Sequence, residues 1–294
     1  MTGGDILDPW TALAGGTGTM LAVDGATTAA AQLGRITVWS GEDVAQRCEA
    51  PVPSPGRPRI AGGQVLWGEL VLDGGGGAER VAGVHAALAE GTDAPAHSSP
   101  GNGFVPSAYA WAPDGARLAV AASWRRGAPR VVLLDRGGER RALLWEEEDL
   151  VPQALWAGSS RIVVGTRSPL VFRADGALEN VLERGVPALR VEADAGESRL
   201  LIAEPGRITV WNADSWAPGA RWPGAWLDAA IAPAGDLVLA VGGDRRLYAA
   251  RVGGEPEPID APGPVQAVAL DGARVVVALG DGHGIFSAAV RGIP

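Results

Sequence analysis

The chain of 294 residues is 47% hydrophobic and 20% charged, the composition of a folded globular protein rather than a disordered one. Its 43 glycines and 22 prolines exclude a helical bundle, and without a Gly-X-Y period they exclude a collagen-like rod as well. Arginine supplies all 25 positive charges against 34 acids, and the net charge of -9 disfavours nucleic acid, whose general recognition needs a basic face.

In chain order, Met1 to Trp10 has neither a basic nor an apolar signal region, and the longest apolar runs, such as Val275 to Leu279, are far below bilayer length. Cys48 is the only cysteine, so no intrachain disulfide can form. Together these features predict a soluble cytoplasmic protein without a membrane partner. Gly34 to Trp39, Gly-Arg-Ile-Thr-Val-Trp, is the first strong strand, and Cys48 reads as a half-buried residue of the next one. Gly74 to Gly77 lacks the Lys-Ser/Thr and the helix of a phosphate loop and reads as a turn after the strand at Leu70. Residues Val84 to Val105 show no sustained period beyond one helical turn at Ala86 to Glu90, and are expected to form a mobile insertion. Next come the turn Ala112 to Gly115, the apolar strand Arg117 to Ala121, a long loop Ser123 to Pro129, a strand at Val131 and a polar strand Glu139 to Trp145. The apolar strand recurs at Arg161 to Gly165, Arg199 to Ala203, Asp236 to Ala240 and Arg274 to Ala278, each behind a turn.

The starts of these five segments differ by 44, 38, 37 and 38 residues. A second family of strands, marked by Ile36, Leu70, Val131, Leu170, Ile208, Leu247 and Ile285, is spaced by 34, 61, 39, 38, 39 and 38. Gly-Arg-Ile-Thr-Val-Trp recurs verbatim at Gly206 to Trp211. Polar outer strands such as Ala177 to Glu183 and Glu255 to Ile259 complete a unit of four strands. One such meander cannot bury both its faces, whereas stacked copies can. The pattern predicts an all-β fold: a single domain over residues 1–294, a seven-bladed β-propeller of four-stranded antiparallel blades, interrupted at about 84–105. The spacing of 61 marks that interruption. The last repeat runs out of chain after its third strand, so Asp5 to Leu13 is the expected donor of its outer strand.

Ala110-Trp-Ala-Pro-Asp-Gly-Ala-Arg-Leu-Ala119 and the two Arg-Ile-Thr-Val-Trp strands resemble the WD-repeat superfamily and, more loosely, the TolB-type propellers. The similarity extends as a period from about Thr17 to Val290. No blade opens with Gly-His, and the closing tryptophan is kept only at Trp39 and Trp211, a departure that puts the family's His-Asp-Ser/Thr-Trp tetrad in question. The resemblance implies a protein-interaction scaffold. A narrower similarity, to degenerate bacterial propellers that accompany MoxR-type ATPases and von Willebrand-A proteins, names a class of partner without a motif to carry it.

Three histidines, with no His-x-His or His-Glu-x-x-His spacing, predict no metal site, no cofactor and no catalytic residues. Asp281 and His283 read as a glycine-rich turn before an acid–base pair. The eleven tryptophans read mainly as packing residues, Trp145 and Trp222 on outer strands. Trp124, Arg125 and Arg126 in the long loop are the predicted partner-binding anchors, because an exposed aromatic beside guanidinium groups is the composition of a binding hot spot. The insertion and the acidic run Glu146 to Asp149 are expected on the same face. The main reading is therefore a non-enzymatic scaffold. The alternative is a lactonase- or hydrolase-type propeller with its site at the central channel mouth, where the sequence offers mostly Gly, Ala, Pro and Arg.

Overall fold

Seven four-stranded antiparallel sheets account for all 28 strands of the described residues, in a computed structural model that describes 6–15, 18–32, 34–49, 57–73, 77–82, 84–89, 104–124, 127–146, 152, 154–280 and 284–291. The chain divides into two compact units, 1–49 with 189–294, and 50–188. In the first unit, β1 (Thr11–Leu13) precedes blade one: β2 (Met20–Asp24), β3 (Thr27–Gln32), β4 (Arg35–Ser40) and β5 (Asp43–Glu49). The second unit holds blade two, β6 (Arg59–Ala61), β7 (Gln64–Trp67), β8 (Leu70–Leu72) and β9 (Ala78–Arg80), then helix α1 (Val84–Ala89). Blade three follows as β10 (Phe104–Trp111), β11 (Arg117–Trp124), β12 (Gly127–Asp135) and β13 (Arg140–Glu146). Blade four is β14 (Leu155–Ala157), β15 (Arg161–Val164), β16 (Leu170–Arg173) and β17 (Leu178–Val181). The first unit resumes with blade five, β18 (Arg190–Ala193), β19 (Arg199–Glu204), β20 (Arg207–Asn212) and β21 (Ala217–Pro223). Blade six is β22 (Trp226–Ile231), β23 (Leu237–Gly242), β24 (Leu247–Arg251) and β25 (Glu257–Ile259). Blade seven is β26 (Val265–Leu270), β27 (Arg274–Leu279) and β28 (Ile285–Ala289), with β1 as its fourth strand. This is the seven-bladed propeller that the period predicts.

The second strands are apolar on both faces, the pattern of a strand covered on both sides: β23, Leu-Val-Leu-Ala-Val-Gly, is buried at every position. The outer strands are polar because they form an edge. In β5 only Gln46 and Cys48, two residues apart on the same face, are withdrawn part-way from solvent, so the cysteine is half-buried as expected. Of the tryptophans, Trp39, Trp67, Trp111, Trp145, Trp156, Trp211, Trp222 and Trp226 are buried, which gives the packing role to most of them.

The arginine that opens the repeated apolar strand has a specific task. Arg117 donates to the carbonyl oxygens of Gly158 (3.1 Å) and Ser159 (2.8 Å) in the first turn of blade four, and to that of Ala174 in its last turn (3.4 Å). Arg199 reaches Gly235 of blade six at 2.5 Å, and Arg274 reaches Gly25, Ala26 and Gly41 of blade one. These three guanidiniums thus satisfy turn carbonyls of the following blade, whereas Arg161 pairs with Glu179 within blade four. In blade six the corresponding Asp236 pairs within its own blade, with Arg251.

Two expectations are corrected. The insertion opens as an ordered helix: Val84, Ala87 and Leu88, spaced as one helical face, are buried against Leu66, Tyr109, Leu118 and Val132 between blades two and three. Residues 90–103 lie outside the described residues. Most of the long loop of blade three is a strand extension, since β11 runs to Trp124, β12 starts at Gly127, and these two residues are register partners. No helix among the described residues is long and apolar enough to cross a membrane.

Candidate partner-binding surface

Blade three stands out from the other six. Its first three strands contain eight, eight and nine residues, whereas the corresponding strands elsewhere contain at most six. The extra length lies at the end where β11 turns into β12. There Phe104, at the end of the insertion, is the register partner of Trp124, which pairs in turn with Gly127. The backbone therefore brings the end of the insertion and the predicted hairpin together. Arg125, Arg126 and the side chain of Trp124 lie outside what the structure describes. Next along the ribbon, Val105 is exposed and faces Ser123 in register.

Buried charge fixes the base of this ribbon. Arg130, nearly inaccessible on β12, donates to the Leu88 carbonyl at the end of α1 (3.1 Å) and forms an ion pair with Glu146 on β13. It thus ties helix, third strand and outer strand in one contact. Among the acids expected beside the hairpin, Glu146 serves Arg130, and 147–149 are outside the described residues. In the turn between β7 and β8, Glu69 accepts Tyr109 Oη at 2.9 Å, and Arg80 Nε and Nη2 at 2.8 and 2.7 Å. Burial, reinforced by the Glu69 charge, pushes the Tyr109 hydroxyl well above its ordinary range, so it remains a donor at any physiological pH. Trp111 Nε1 adds a bond to the Gly68 carbonyl at 2.9 Å. Blades two and three are thus held by a polar network. Sequence reasoning missed Glu69, Arg80, Tyr109 and Arg130; the available signal for Arg130 was a lone arginine heading the apolar run Val131 to Leu134.

A shallow cleft of about 420 Å³ lies along blade six and is lined by Trp226, Asp244 and Tyr248 among others. The two rings meet edge to face, with centroids 5.6 Å apart. Tyr248 donates to Asp244 at 2.8 Å, a bond that lifts the tyrosine pKa first of all, ahead of its burial. For Asp244, desolvation acts upward but is outweighed by that bond and by the Arg246 amide, leaving its carboxyl below the usual range. The pair satisfies itself and presents neither an activated nucleophile nor a general base. Asp281, His283 and His97 are outside the described residues, as is the side chain of His85. No group of three or more metal-ligating side chains occurs among the described residues.

The β-propeller domain of Cps50 (Swd1) from Myceliophteria thermophila, known from a crystal structure, aligns with this chain at a TM-score of 0.69 and 14% identity, over 96% of this chain and 100% of that one. The shared fold is a β-propeller. No protein-family model matches the chain, and no curated protein matches it by sequence.

Within this propeller the two closing tryptophans make specific contacts. Trp39 Nε1 donates to the Ala14 carbonyl (3.0 Å), fastening the segment after β1 to blade one. The Trp211 ring carries the Arg221 guanidinium 5.8 Å from its centroid. The chain's three histidines, at 85, 97 and 283, fall within the strands of neither blade one nor blade five.

Proposed function

We propose that the protein is a non-enzymatic interaction scaffold that docks a protein partner through the extended end of blade three, with Trp124, Arg125 and Arg126 as anchors. The observation that carries this reading is the lengthening of β10, β11 and β12 alone among the blades, on a base held by Arg130 and α1. A rigid base beneath a projecting hairpin suits contact, because little order is lost when the hairpin engages. Propeller folds of this kind commonly serve as protein-interaction platforms, and the net charge of -9 favours a protein over nucleic acid. The narrower partner class, a MoxR-type ATPase or von Willebrand-A protein of a bacterial cytoplasm, rests on the resemblance to degenerate bacterial propellers and on the single cysteine.

Capture from source-cell lysate, with bound proteins identified by mass spectrometry, tests both levels. Trp124→Ala combined with Arg125→Ala is expected to abolish capture, Trp124→Ala alone to weaken it by about 2 kcal/mol, and both to leave the melting temperature nearly unchanged. Retained capture overturns the site. A melting point lowered by several degrees shows Trp124 to be a packing residue instead.

A further inference from the structure

Blade four balances its charges at one end and not at the other. At the end where β14 turns into β15 and β16 into β17, Arg161 pairs with Glu179 and Arg173 with Asp175. The opposite end consists of two loops, Gly165 to Pro169 between β15 and β16, and Leu182 to Pro187 after β17. Arg167 stands on the first and Arg184 on the second, both exposed, and among the described residues neither has a hydrogen bond, ion pair or ring contact from its side chain. Glu183 is the one acid on the two loops and pairs with neither arginine.

Backbone bonds lace the loops together. The Leu182 amide donates to the Pro169 carbonyl at 2.9 Å, and the Gly185 amide to the Arg167 carbonyl at 2.7 Å. Thr166 Oγ1 closes the first loop on the Ser168 carbonyl at 2.6 Å, and Leu182 is buried beneath the second. The two arginines therefore stand on adjacent, already ordered backbone, which has little entropy left to lose when a ligand binds. Apolar surface adjoins them: Val181, the last residue of β17, is 51% exposed and Val186 47%. A guanidinium fork matches a carboxylate bidentately, and exposed aliphatic groups beside it favour apolar flanks. A phosphate cradle would need free loop amides, yet those of Gly165, Thr166, Leu182 and Gly185 are spent on the carbonyls of Ala154, Val164, Pro169 and Arg167.

We infer that Arg167, Arg184, Val181 and Val186 form a second docking surface, for a protein segment in which aspartates or glutamates are interspersed with apolar residues. It stands beside the base of the blade-three ribbon, because Ser107 of β10 donates to the Pro152 carbonyl at the entrance to blade four (3.0 Å), but it uses different side chains. The net charge of -9 favours basic segments at long range. Capture of an acidic segment therefore reports the local arginine pair, acting within a screening length of about 8 Å.

Selection of a random linear phage-displayed peptide library on the immobilised protein tests the inference without presupposing a sequence. Enriched peptides are expected to combine carboxylates with apolar residues. A synthetic peptide of that consensus is expected to bind Arg167→Gln/Arg184→Gln and Val181→Ser/Val186→Ser at least about tenfold more weakly, yet Trp124→Ala equally well. Binding is expected to weaken as salt rises, and phosphoserine in place of a carboxylate residue of the peptide is expected not to strengthen it. The two arginines have no partner to lose, so the glutamine variant is expected to keep the wild-type melting temperature, which separates lost contact from lost fold. Enrichment of basic or uncharged peptides, no enrichment, or binding that survives the glutamine variant overturns the assignment. Tighter binding of the phosphoserine peptide overturns the carboxylate ligand. Peptides lost on Trp124→Ala instead map to the ribbon, and that outcome overturns this surface while supporting the other.

Discussion

At the scale of single residues, the first turns of blades three, five and six show how one backbone requirement is met by different side chains. Gly115, Glu197 and Gly235 each donate their amide to the residue three positions earlier, and each has a positive φ, of 64°, 53° and 76°. The two glycines were legible as turn residues because only glycine takes this conformation freely; Glu197 was hidden because it takes it at a cost. A buried charged trio was equally hidden, since Arg190, Glu192 and Asp228 meet only through the stacking of two blades. It makes a pH prediction. Burial, outweighing the attraction of Arg190 and the amides of Val268 and Ala229, raises the Asp228 carboxyl from 3.8 to about 6, and burial raises Glu192 as well. A folded-state pKa above the unfolded one means that the folded protein binds the extra proton, so this stabilisation is complete below about pH 3.8 and is lost as pH rises through about 6. Asp228→Asn keeps an acceptor for the Val268 amide but cannot titrate. Its melting temperature relative to wild type is expected to rise between pH 4 and pH 7, roughly the window of that titration; a constant difference across the window shows that Asp228 does not titrate there.

At the scale of elements, strand positions could be read because each repeat must bury its middle strands, and hydrophobicity records that burial. The function of the leading arginine could not, because its acceptors are turn carbonyls about 40 residues further on, in another blade. Helix α1 was seen only as a single turn because Val84, Ala87 and Leu88 are too few to establish a period. The candidate site was legible as a pair of departures from the repeat, and the structure joins their backbones at Phe104 and Trp124. What sequence misread was the ribbon's nature: Ser123 and Gly127 look like loop residues, yet they lie in β11 and β12, and β10 extends alongside β11 as far as Trp124. The arginine contacts carry the prediction at this scale. Arg117→Ala leaves three turn carbonyls of blade four without their donor and is expected to lower unfolding free energy by about 1–3 kcal/mol. Arg117→Lys is expected to recover only part of that loss, because a single ammonium cannot span the fork of contacts. Urea denaturation of the three proteins checks this, and full recovery by lysine contradicts the guanidinium geometry.

At the scale of the molecule, the N-terminal segment does the work of a missing strand. The last repeat ends at β28, and β1 pairs with it in antiparallel register, Thr11 with Ser287 and Leu13 with Ile285, as the shortfall of chain predicts. The pairing extends beyond the strand: Leu7 bridges Val290, the Asp8 amide donates to Ala289, and Arg291 Nε meets Asp8 Oδ1 at 2.6 Å. Trp10 Nε1 donates to the Asp260 carbonyl, and Ile6, Leu7 and Trp10 pack on the core shared by blades six and seven. Leu13 is 4% exposed in a cluster that joins blade seven to blade one. Removing residues 1–13 therefore strips an apolar cover from two interfaces and bares β28 as an unpaired edge. The truncated protein is expected to melt lower by about 5 °C or more and to self-associate through the bared edge, as read by calorimetry and light scattering. Leu13→Asp tests the same contact with the chain intact: it places a charge in the core cluster and is expected to lower the melting temperature comparably. A truncated chain that melts like the full-length protein and stays monomeric shows that β1 contributes nothing to holding the first unit together.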